Sequence, residues 1–291
     1  MEEGSISDTR HQLKRYSAFT DHGQGGNPAG VVLNAEALDA GARLALANEV
    51  GYSETAFVEQ GEAPDHYRVR YFSPKAEVPF CGHATIATAV ALAELRSPGL
   101  LDFSTLAGPV AVETALTPEG ISATLRSVPS RIDPVAPTVL AAALRSLGWA
   151  EADLDPRYPP RVAYAGAQHL VLVVASRARL AALDYDYAAL SELMSAQDWT
   201  TLQLVWAESP ALFHSRNPFP PGGIIEDPAT GAAAAAFGGY LRALKLTEAA
   251  SQFTILQGEE MGRPSRLLVD LRPGEAGVRV TGLASPIITT G

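Results

Sequence analysis

The sequence predicts an α+β protein built from two copies of one unit, and three observations support this fold class. The 291 residues suffice for two domains of about 150 residues, each able to bury its own core. Short strand patterns alternate with a few helices along the chain. Two helices of unusually small residues each follow a glycine, and these glycines, Gly82 and Gly231, lie 149 residues apart.

Two further pairs of residues repeat with nearly the same offset. Phe103 and Phe253 lie 150 residues apart in similar segments, and Gly108 and Gly258 keep the spacing of 150. The alternative explanation is coincidence among common residues. A duplication favours two pseudo-symmetric domains facing each other across a cleft, and a ligand site there would draw on both halves.

The first half reads as strands around one buried helix. Residues 1 to about 14 are expected to be a polar extension. A helix over residues 36–50 should end at Gly51, and a helix over residues 84–95 is apolar almost all round, which is typical of a buried helix. Strands are predicted over residues 31–33, 53–59, 67–72, 101–105, 110–114 and 121–125.

The second half repeats this order after a proline-rich stretch. Residues 128–137 contain three prolines, so we expect domains over residues 15–130 and 131–291, with the last strand as a candidate to cross back to the first. Helices are predicted over residues 138–147, 187–197 and 232–244. Strands are predicted over residues 170–174, 201–206, 253–256, 266–271 and 278–281.

Composition argues against several classes of partner. The net charge is −10 and basic residues are scattered, which disfavours a nucleic-acid groove or an anionic membrane as partner. A single cysteine forms no disulfide within the chain, which favours a reducing compartment, and neither a signal peptide nor an apolar span is recognisable. We therefore expect a cytoplasmic protein that binds a small molecule.

The two central helices begin at turns that suit an anion. A helix N-terminus exposes unpaired N–H groups and about half a positive charge, and glycine lets a ligand approach closely, so Gly82 and Gly231 are candidates to hold a carboxylate. The alternative is that both turns are ordinary helix starts. Asp227 would then be an N-cap and Pro228 the first helical residue.

Glu54 is the carboxylate in the most unusual position. On a strand it shares a face with the apolar Ala56 and Val58, so we expect a desolvated carboxyl group with a raised pKa. Such a group is a candidate general acid or base. The alternative is a glutamate at the strand end that turns back to water.

His83 opens the first central helix, where the positive helix end favours its neutral form for orienting or relaying a proton. The alternative is a polar helix start packed at a domain boundary. His169 is expected to be a turn residue or to lie behind the site. No histidine pair has metal-ligand spacing, and no phosphate-binding or dinucleotide-binding glycine motif occurs, so the sequence predicts no metal and no cofactor.

The chain from Tyr16 onward resembles the PhzF-like isomerases of phenazine biosynthesis, which are relatives of diaminopimelate epimerase. The segments that carry the resemblance are Gly26-Asn27-Pro28-Ala29-Gly30-Val31-Val32, Ser53-Glu54-Thr55-Ala56-Phe57-Val58, Phe80-Cys81-Gly82-His83-Ala84-Thr85, Gly166-Ala167-Gln168-His169 and Glu226-Asp227-Pro228-Ala229-Thr230-Gly231. It implies a diaminopimelate epimerase-like fold in which each half is a curled sheet around a central helix, usually in a homodimer.

The resemblance also assigns roles by motif. Glu54 corresponds to the acid/base of the family, and His83 and Asp227 correspond to polar residues that position substrate and proton, so these three are the predicted catalytic residues. The predicted substrate-binding residues are Asn27, Gly82, Gly231 and Ala232.

Two departures from related proteins bear on substrate and mechanism. Ala232 stands where the characterised isomerase carries a serine, which removes one hydroxyl contact. Racemases of the wider fold place two cysteines around the substrate, whereas this chain has Cys81 near the first position and Pro228 near the second. We therefore disfavour a two-thiol racemase and expect Cys81 to be a small packed residue.

These observations together predict a cofactor-independent isomerase of a small carboxylated metabolite, in which Glu54 moves a proton. One alternative is an epimerase or racemase that uses Glu54 with another acid. A second is a binding protein of the same fold that has lost the chemistry.

Overall fold

The computed structural model describes residues 11–288 and shows a sheet-dominated α+β fold. Its strands are β1 (Gln12–Ala18), β2 (Asn27–Leu33), β3 (Glu54–Gln60), β4 (His66–Phe72), β5 (Glu77–Val78), β6 (Leu100–Thr105), β7 (Gly108–Thr117), β8 (Gly120–Arg126), β9 (Arg131–Pro134), β10 (Arg161–Tyr164), β11 (Gln168–Val174), β12 (Thr201–Ser209), β13 (Leu212–Pro218), β14 (Glu226–Asp227), β15 (Ser251–Gln257), β16 (Ser265–Leu271) and β17 (Arg279–Pro286). Its α-helices are α1 (Ala40–Val50), α2 (Gly82–Leu95), α3 (Pro137–Ser146), α4 (Arg177–Ala181), α5 (Tyr187–Ala196) and α6 (Gly231–Ala243).

The first half is a curled sheet around α2. Strand β1 pairs with β2, β2 runs parallel to β3, β3 pairs antiparallel with β4, and β4 runs parallel to β6, which continues antiparallel into β7 and β8. Every α2 residue from His83 to Ala93 is buried, because small side chains let the strands approach the helix on all sides. Helix α1 packs outside this sheet against Val32 and Phe57.

The second half repeats the pairing order strand for strand. Strand β10 pairs with β11, β11 runs parallel to β12, β12 pairs antiparallel with β13, and β13 runs parallel to β15, which continues antiparallel into β16 and β17. Helix α6 occupies the position of α2, and α3, α4 and α5 lie outside the sheet. The predicted pseudo-symmetric fold with two central helices is confirmed.

Strand β17 belongs to both halves. It pairs with β16 of its own half and with β8, and its last residues pair with the end of β1, from Tyr16 opposite Pro286 to Ala18 opposite Ala284. Strand β9, at the start of the proline-rich segment, pairs with β10. The division at residues 130 and 131 stays a prediction.

Several predicted boundaries were wrong. Residues 12–14 belong to β1 rather than to a polar extension, whose residues 1–10 lie outside the described part. Helix α1 begins at Ala40, four residues later than predicted, because the Asp39 carboxylate accepts a hydrogen bond from the N–H of Ala42 and caps the helix there. Strands β5, β9, β10, β13 and β14 and helix α4 were not predicted.

Within residues 11–288, no helix is long and apolar enough to cross a membrane.

Candidate active site

Glu54 opens strand β3 and points to the face that packs on α2. Ala56 and Val58, which share this face, are buried in the same core cluster as α2. The Glu54 side chain itself is 18% exposed, so it lies at the rim of the core with access to water. The predicted face is therefore confirmed.

The start of α2 brings two more groups against this carboxylate. The Nε2 atom of His83 lies 3.4 Å from Oε2 of Glu54, and the Cys81 thiol lies 3.5 Å from the same oxygen. Cys81 Sγ is also 3.3 Å from Nδ1 of His83, and Ser53 Oγ is 3.4 Å from its Nε2. Glu54, Cys81 and His83 therefore form one cluster at the N-terminus of α2, and Cys81, packed in the core as expected, contacts both of the other groups.

Asp227 lies in β14 and is held by partners from both halves. Its Oδ1 accepts a 2.7 Å hydrogen bond from Nδ2 of Asn27, and its Oδ2 accepts a 2.6 Å bond from the hydroxyl of Thr230. Gln257 donates to its backbone oxygen at 2.7 Å. Asp227 is not the N-cap of α6, because that helix begins three residues beyond Pro228, with Thr230 at the cap position.

Burial raises the pKa of Asp227 to about 6. This net value includes a further increase from the negative charge of Glu54 and decreases from His83 and from the hydrogen bonds that Thr230 and Asn27 donate. Burial also raises the pKa of the Cys81 thiol, and the negative charges of Glu54 and Asp227 raise this pKa as well. The charges of Glu54 and His83, in the first half, therefore influence Asp227, in the second half.

The other predicted substrate-binding residues occupy the same region. Asn27 opens β2, is buried, and donates to Asp227 and, at 3.1 Å, to the backbone oxygen of Ala229. No atom lies within 4 Å of a Cβ built on Gly82, so this helix start faces open space. A Cβ built on Gly231 would lie 3.3 Å from Cζ of Phe19, and Ala232 follows Gly231, half-buried, in the first turn of α6.

His169 lies away from this cluster, in strand β11 rather than in a turn. It is fully buried, its Nδ1 lies 2.9 Å from the hydroxyl of Thr201, and burial lowers its pKa to about 4. The imidazole is therefore neutral at neutral pH.

Sequence reasoning missed the positions of Ser53, Thr230 and Gln257 in the site. Gln257 lies in β15, where it joins Asp227 to Thr230. No local pattern marks Gln257, because its partners lie about 30 residues away in sequence. Ser53 and Thr230 both lie in segments that carry the family resemblance, and this position could have marked them as site residues.

The cluster at α2 also offers metal ligands. A carboxylate oxygen of Glu54, the sulfur of Cys81 and a ring nitrogen of His83 all lie within 4.8 Å of one another. The expectation that the protein uses no catalytic metal stays a prediction.

Comparison with known proteins finds relatives over nearly the whole chain. The profile of phenazine biosynthesis-like proteins, PhzC-PhzF, matches residues 16–290. A protein of Mesorhizobium japonicum named as an uncharacterized isomerase is 36% identical over 281 residues, which cover 90% of this chain and 91% of that protein. The trans-2,3-dihydro-3-hydroxyanthranilate isomerase of Pseudomonas chlororaphis is 31% identical over 260 residues, covering 88% of each protein.

A solved structure shows the same fold. The crystal structure of a PhzF-family phenazine biosynthesis protein from Bacillus anthracis matches with a TM-score of 0.85 at 24% identity, covering 96% of this chain and 98% of that chain. The curled-sheet fold expected from the sequence is confirmed by this match.

Proposed function

The chain belongs to the phenazine biosynthesis-like (PhzC-PhzF) family, and we propose that it is a cofactor-independent isomerase of a small carboxylated metabolite. The predicted enzyme class is confirmed, because the relatives that align with about nine-tenths of the chain are named isomerases. The substrate class and the independence from cofactors are the finer parts of the proposal, and the chemistry of the site supports them.

The proposal rests on the contact between Glu54 and His83 and on the influence of both residues on Asp227. Glu54 lies 3.4 Å from His83, and both influence the pKa of Asp227. Three groups able to carry a proton therefore influence one another, and a pKa of about 6 lets Asp227 exist in both forms near neutral pH, which supports the proposal.

In the proposed reaction the Glu54 carboxylate takes a proton from an activated C–H group of the substrate. The electron pair of that bond moves into the substrate's unsaturated system, and the protonated Glu54 returns the proton to a carbon one or more positions away. The reaction is neither an oxidation nor a reduction. His83 and Asp227 orient the substrate and the proton during the transfer.

The helix starts supply the proposed carboxylate site. The unpaired N–H groups at Gly82 and Gly231 carry partial positive charge, which offsets negative charge on the substrate carboxylate as the proton leaves. Open space at Gly82 leaves room for the ligand. Ala232 offers no hydroxyl, so a substrate group that needs one there would be bound less tightly.

The test is deuterium incorporation catalysed by a Glu54→Gln variant. The first substrate to try is trans-2,3-dihydro-3-hydroxyanthranilate, which the name of a 31%-identical relative suggests, followed by related unsaturated carboxylates. We expect turnover in D₂O to fall by about 10²–10⁴-fold in the variant, because it removes the acid/base group but keeps the shape. Product formation and deuterium content are followed by NMR and mass spectrometry.

The matched control is Glu49→Gln, since Glu49 is an exposed glutamate on α1. This variant should turn over like the unmodified chain. Undiminished proton exchange in Glu54→Gln would overturn the assignment of Glu54.

A second candidate is an epimerase in which Glu54 removes a proton and Asp227 supplies another. The raised pKa of Asp227 favours this candidate, because a carboxyl group with a pKa of about 6 can donate a proton near neutral pH. Deuterium at one stereocentre without migration of a double bond would identify an epimerase, whereas migration would identify the isomerase.

A further inference from the structure

A pocket lies on the outer face of the sheet, where the first and last strands meet. Tyr16 and Ala18 of β1 belong to the core around α2, so Ser17 between them points to the opposite face. Ser17 pairs with Pro28 of β2 and with Ser285 of β17, and these three residues line the pocket. The pocket therefore lies on the side of the sheet away from α2 and from the cluster proposed for proton transfer.

Both halves contribute to the pocket. Gly23 and Gly25 come from the loop between β1 and β2, Tyr52 precedes β3, and Arg263 comes from the loop before β16. The volume is about 260 Å³, whereas a water molecule takes up about 30 Å³ in the liquid. The pocket therefore has room for a small polyatomic ligand.

Among the described residues that line the pocket, Arg263 alone carries a charge. Its Nε donates a 2.9 Å hydrogen bond to the backbone oxygen of Gly26, which fixes one edge of the guanidinium group. Within residues 11–288 its terminal nitrogens make no hydrogen bond and no ion pair. The carboxylate of Asp21, in the neighbouring loop, is paired with Arg266 at 2.6 Å instead. The pocket therefore carries a positive charge that no nearby carboxylate balances.

The other polar groups of the lining are able to donate hydrogen bonds. Gly23 and Gly25 have φ angles of 78° and 65°, and their N–H groups make no hydrogen bond in the described range 11–288. Glycine loops with positive φ present such N–H groups to anions. Ser285 and Tyr52 add hydroxyl groups to the same lining. The donors come from three separate segments, so no local motif marks them.

This set of donors is the kind that recognises an oxyanion. An arginine fork matches phosphate or carboxylate oxygens, and donors from several directions suit a tetrahedral phosphate group better than a planar carboxylate. We propose that the pocket binds a phosphate group, as the inorganic ion or on a small metabolite, through Arg263 and the N–H groups of Gly23 and Gly25. The bound phosphate joins a loop of the first half to a loop of the second half. The site does not depend on the proposed isomerisation.

The experiment is titration of the full-length chain with inorganic phosphate at constant ionic strength, followed by calorimetry and by the melting temperature. We expect one phosphate per chain and a melting temperature that rises with phosphate concentration, because the ion binds the folded chain alone. Arg263→Gln should weaken phosphate binding at least about tenfold, since it removes charge-assisted hydrogen bonds. Arg263→Lys keeps the charge without the fork and should bind phosphate more tightly than Arg263→Gln.

Ser285→Asp tests the pocket without removing Arg263. This variant adds a carboxylate to the lining, so phosphate affinity should fall at least about tenfold while the hydrogen bond from Arg263 to Gly26 stays. The matched control is Arg272→Gln. Arg272 is an exposed arginine outside the pocket lining, paired with Asp270 at 2.8 Å, and its variant should bind phosphate like the unmodified chain.

Two further ligands identify the source of the phosphate group. Glycerol 3-phosphate that binds at least as tightly as inorganic phosphate indicates a phosphorylated metabolite, and weaker binding of this ester indicates the inorganic ion. Acetate, a planar anion, should bind at least about tenfold more weakly than phosphate.

The proposal is overturned if phosphate binding does not saturate, if Arg263→Gln keeps the affinity of the unmodified chain, or if acetate binds as tightly as phosphate. Binding that survives Arg263→Gln would place the phosphate elsewhere, such as the helix starts at Gly82 and Gly231. These readouts do not involve turnover, so their failure is distinct from failure of the proposed function.

Discussion

Asp227 is the residue on which the two halves of the site meet. The residue is 7% exposed, and its carboxyl group accepts hydrogen bonds from Asn27 and Thr230 and lies within the electrostatic influence of Glu54 and His83. Two neutral donors do not fully compensate the lost hydration, so the pKa rises. The ionised form of Asp227 can take part in proton transfer, but ionisation lowers the free energy of unfolding of the chain.

This cost predicts a pH dependence of stability. The pKa rises from 3.8 to about 6 on folding, so the folded chain binds this proton more tightly. The resulting stabilisation is fully present below about pH 4 and is lost as the pH rises through about 6, a change on the order of 3 kcal/mol. In Asp227→Asn, which does not titrate, the free energy of unfolding should lack this component.

Urea unfolding of both chains between about pH 4 and about pH 7 measures the difference. The wild type should lose stability relative to Asp227→Asn as the pH rises. The same comparison for Asp184→Asn, at an exposed aspartate, should show no such trend. Parallel stability curves for the wild type and Asp227→Asn would contradict the raised pKa.

Among the elements, both buried helices begin at a glycine, and the one that begins α2, Gly82, faces open space. A side chain at the start of α2 would occupy the space proposed for the ligand, although it would meet no protein atom within 4 Å. The starting residue of this helix therefore affects ligand binding far more than folding.

Gly82→Ala tests this consequence. We expect the melting temperature to stay the same or rise slightly, because alanine is favoured over glycine in a helix by up to about 1 kcal/mol. The Michaelis constant, or the dissociation constant of a carboxylate inhibitor, should rise by about tenfold or more because the methyl group fills the anion site. Gly99→Ala, where an added Cβ also meets nothing, should change neither quantity. Normal ligand affinity in Gly82→Ala would place the ligand elsewhere.

For the whole molecule, β17 couples the halves. It is paired with β16, β8 and β1, so neither curled sheet keeps its full hydrogen bonding if the other opens. Phe19, fully buried after β1, lies between Gly231 of α6 and Gly282 of β17 and adds side-chain packing to the same junction. Unfolding should therefore be a single transition.

Ile86→Ala, in the core of α2, tests this coupling. Loss of the fully buried side chain should cost about 2–5 kcal/mol. All three tryptophans, Trp149, Trp199 and Trp206, lie in the second half, so their fluorescence reports on the half that was not changed. We expect the fluorescence and circular-dichroism midpoints to fall together, and a fluorescence midpoint that stays in place would show that the halves unfold independently.

Much of the fold was predictable because the buried elements carry strong local patterns. Helices α2 and α6 were located to within two residues, since each is a run of small apolar residues behind a glycine. Strand β13 was missed because it mixes apolar residues with His214, Arg216 and Asn217, whose side chains donate to or contact partners in other elements. Without those partners the segment does not read as a buried strand.

Periodicity and residue type are local properties, so they identify the repeated unit, the two glycine-led helices and the candidates Glu54 and His83, while the family motifs add Asp227. The contacts of each candidate follow only from the tertiary fold. It joined Cys81 to Glu54 across 27 residues and Asn27 to Asp227 across 200. Hydrogen bonds and pKa values depend on such neighbours, and closure of the sheets, which no local pattern records, brings those neighbours together.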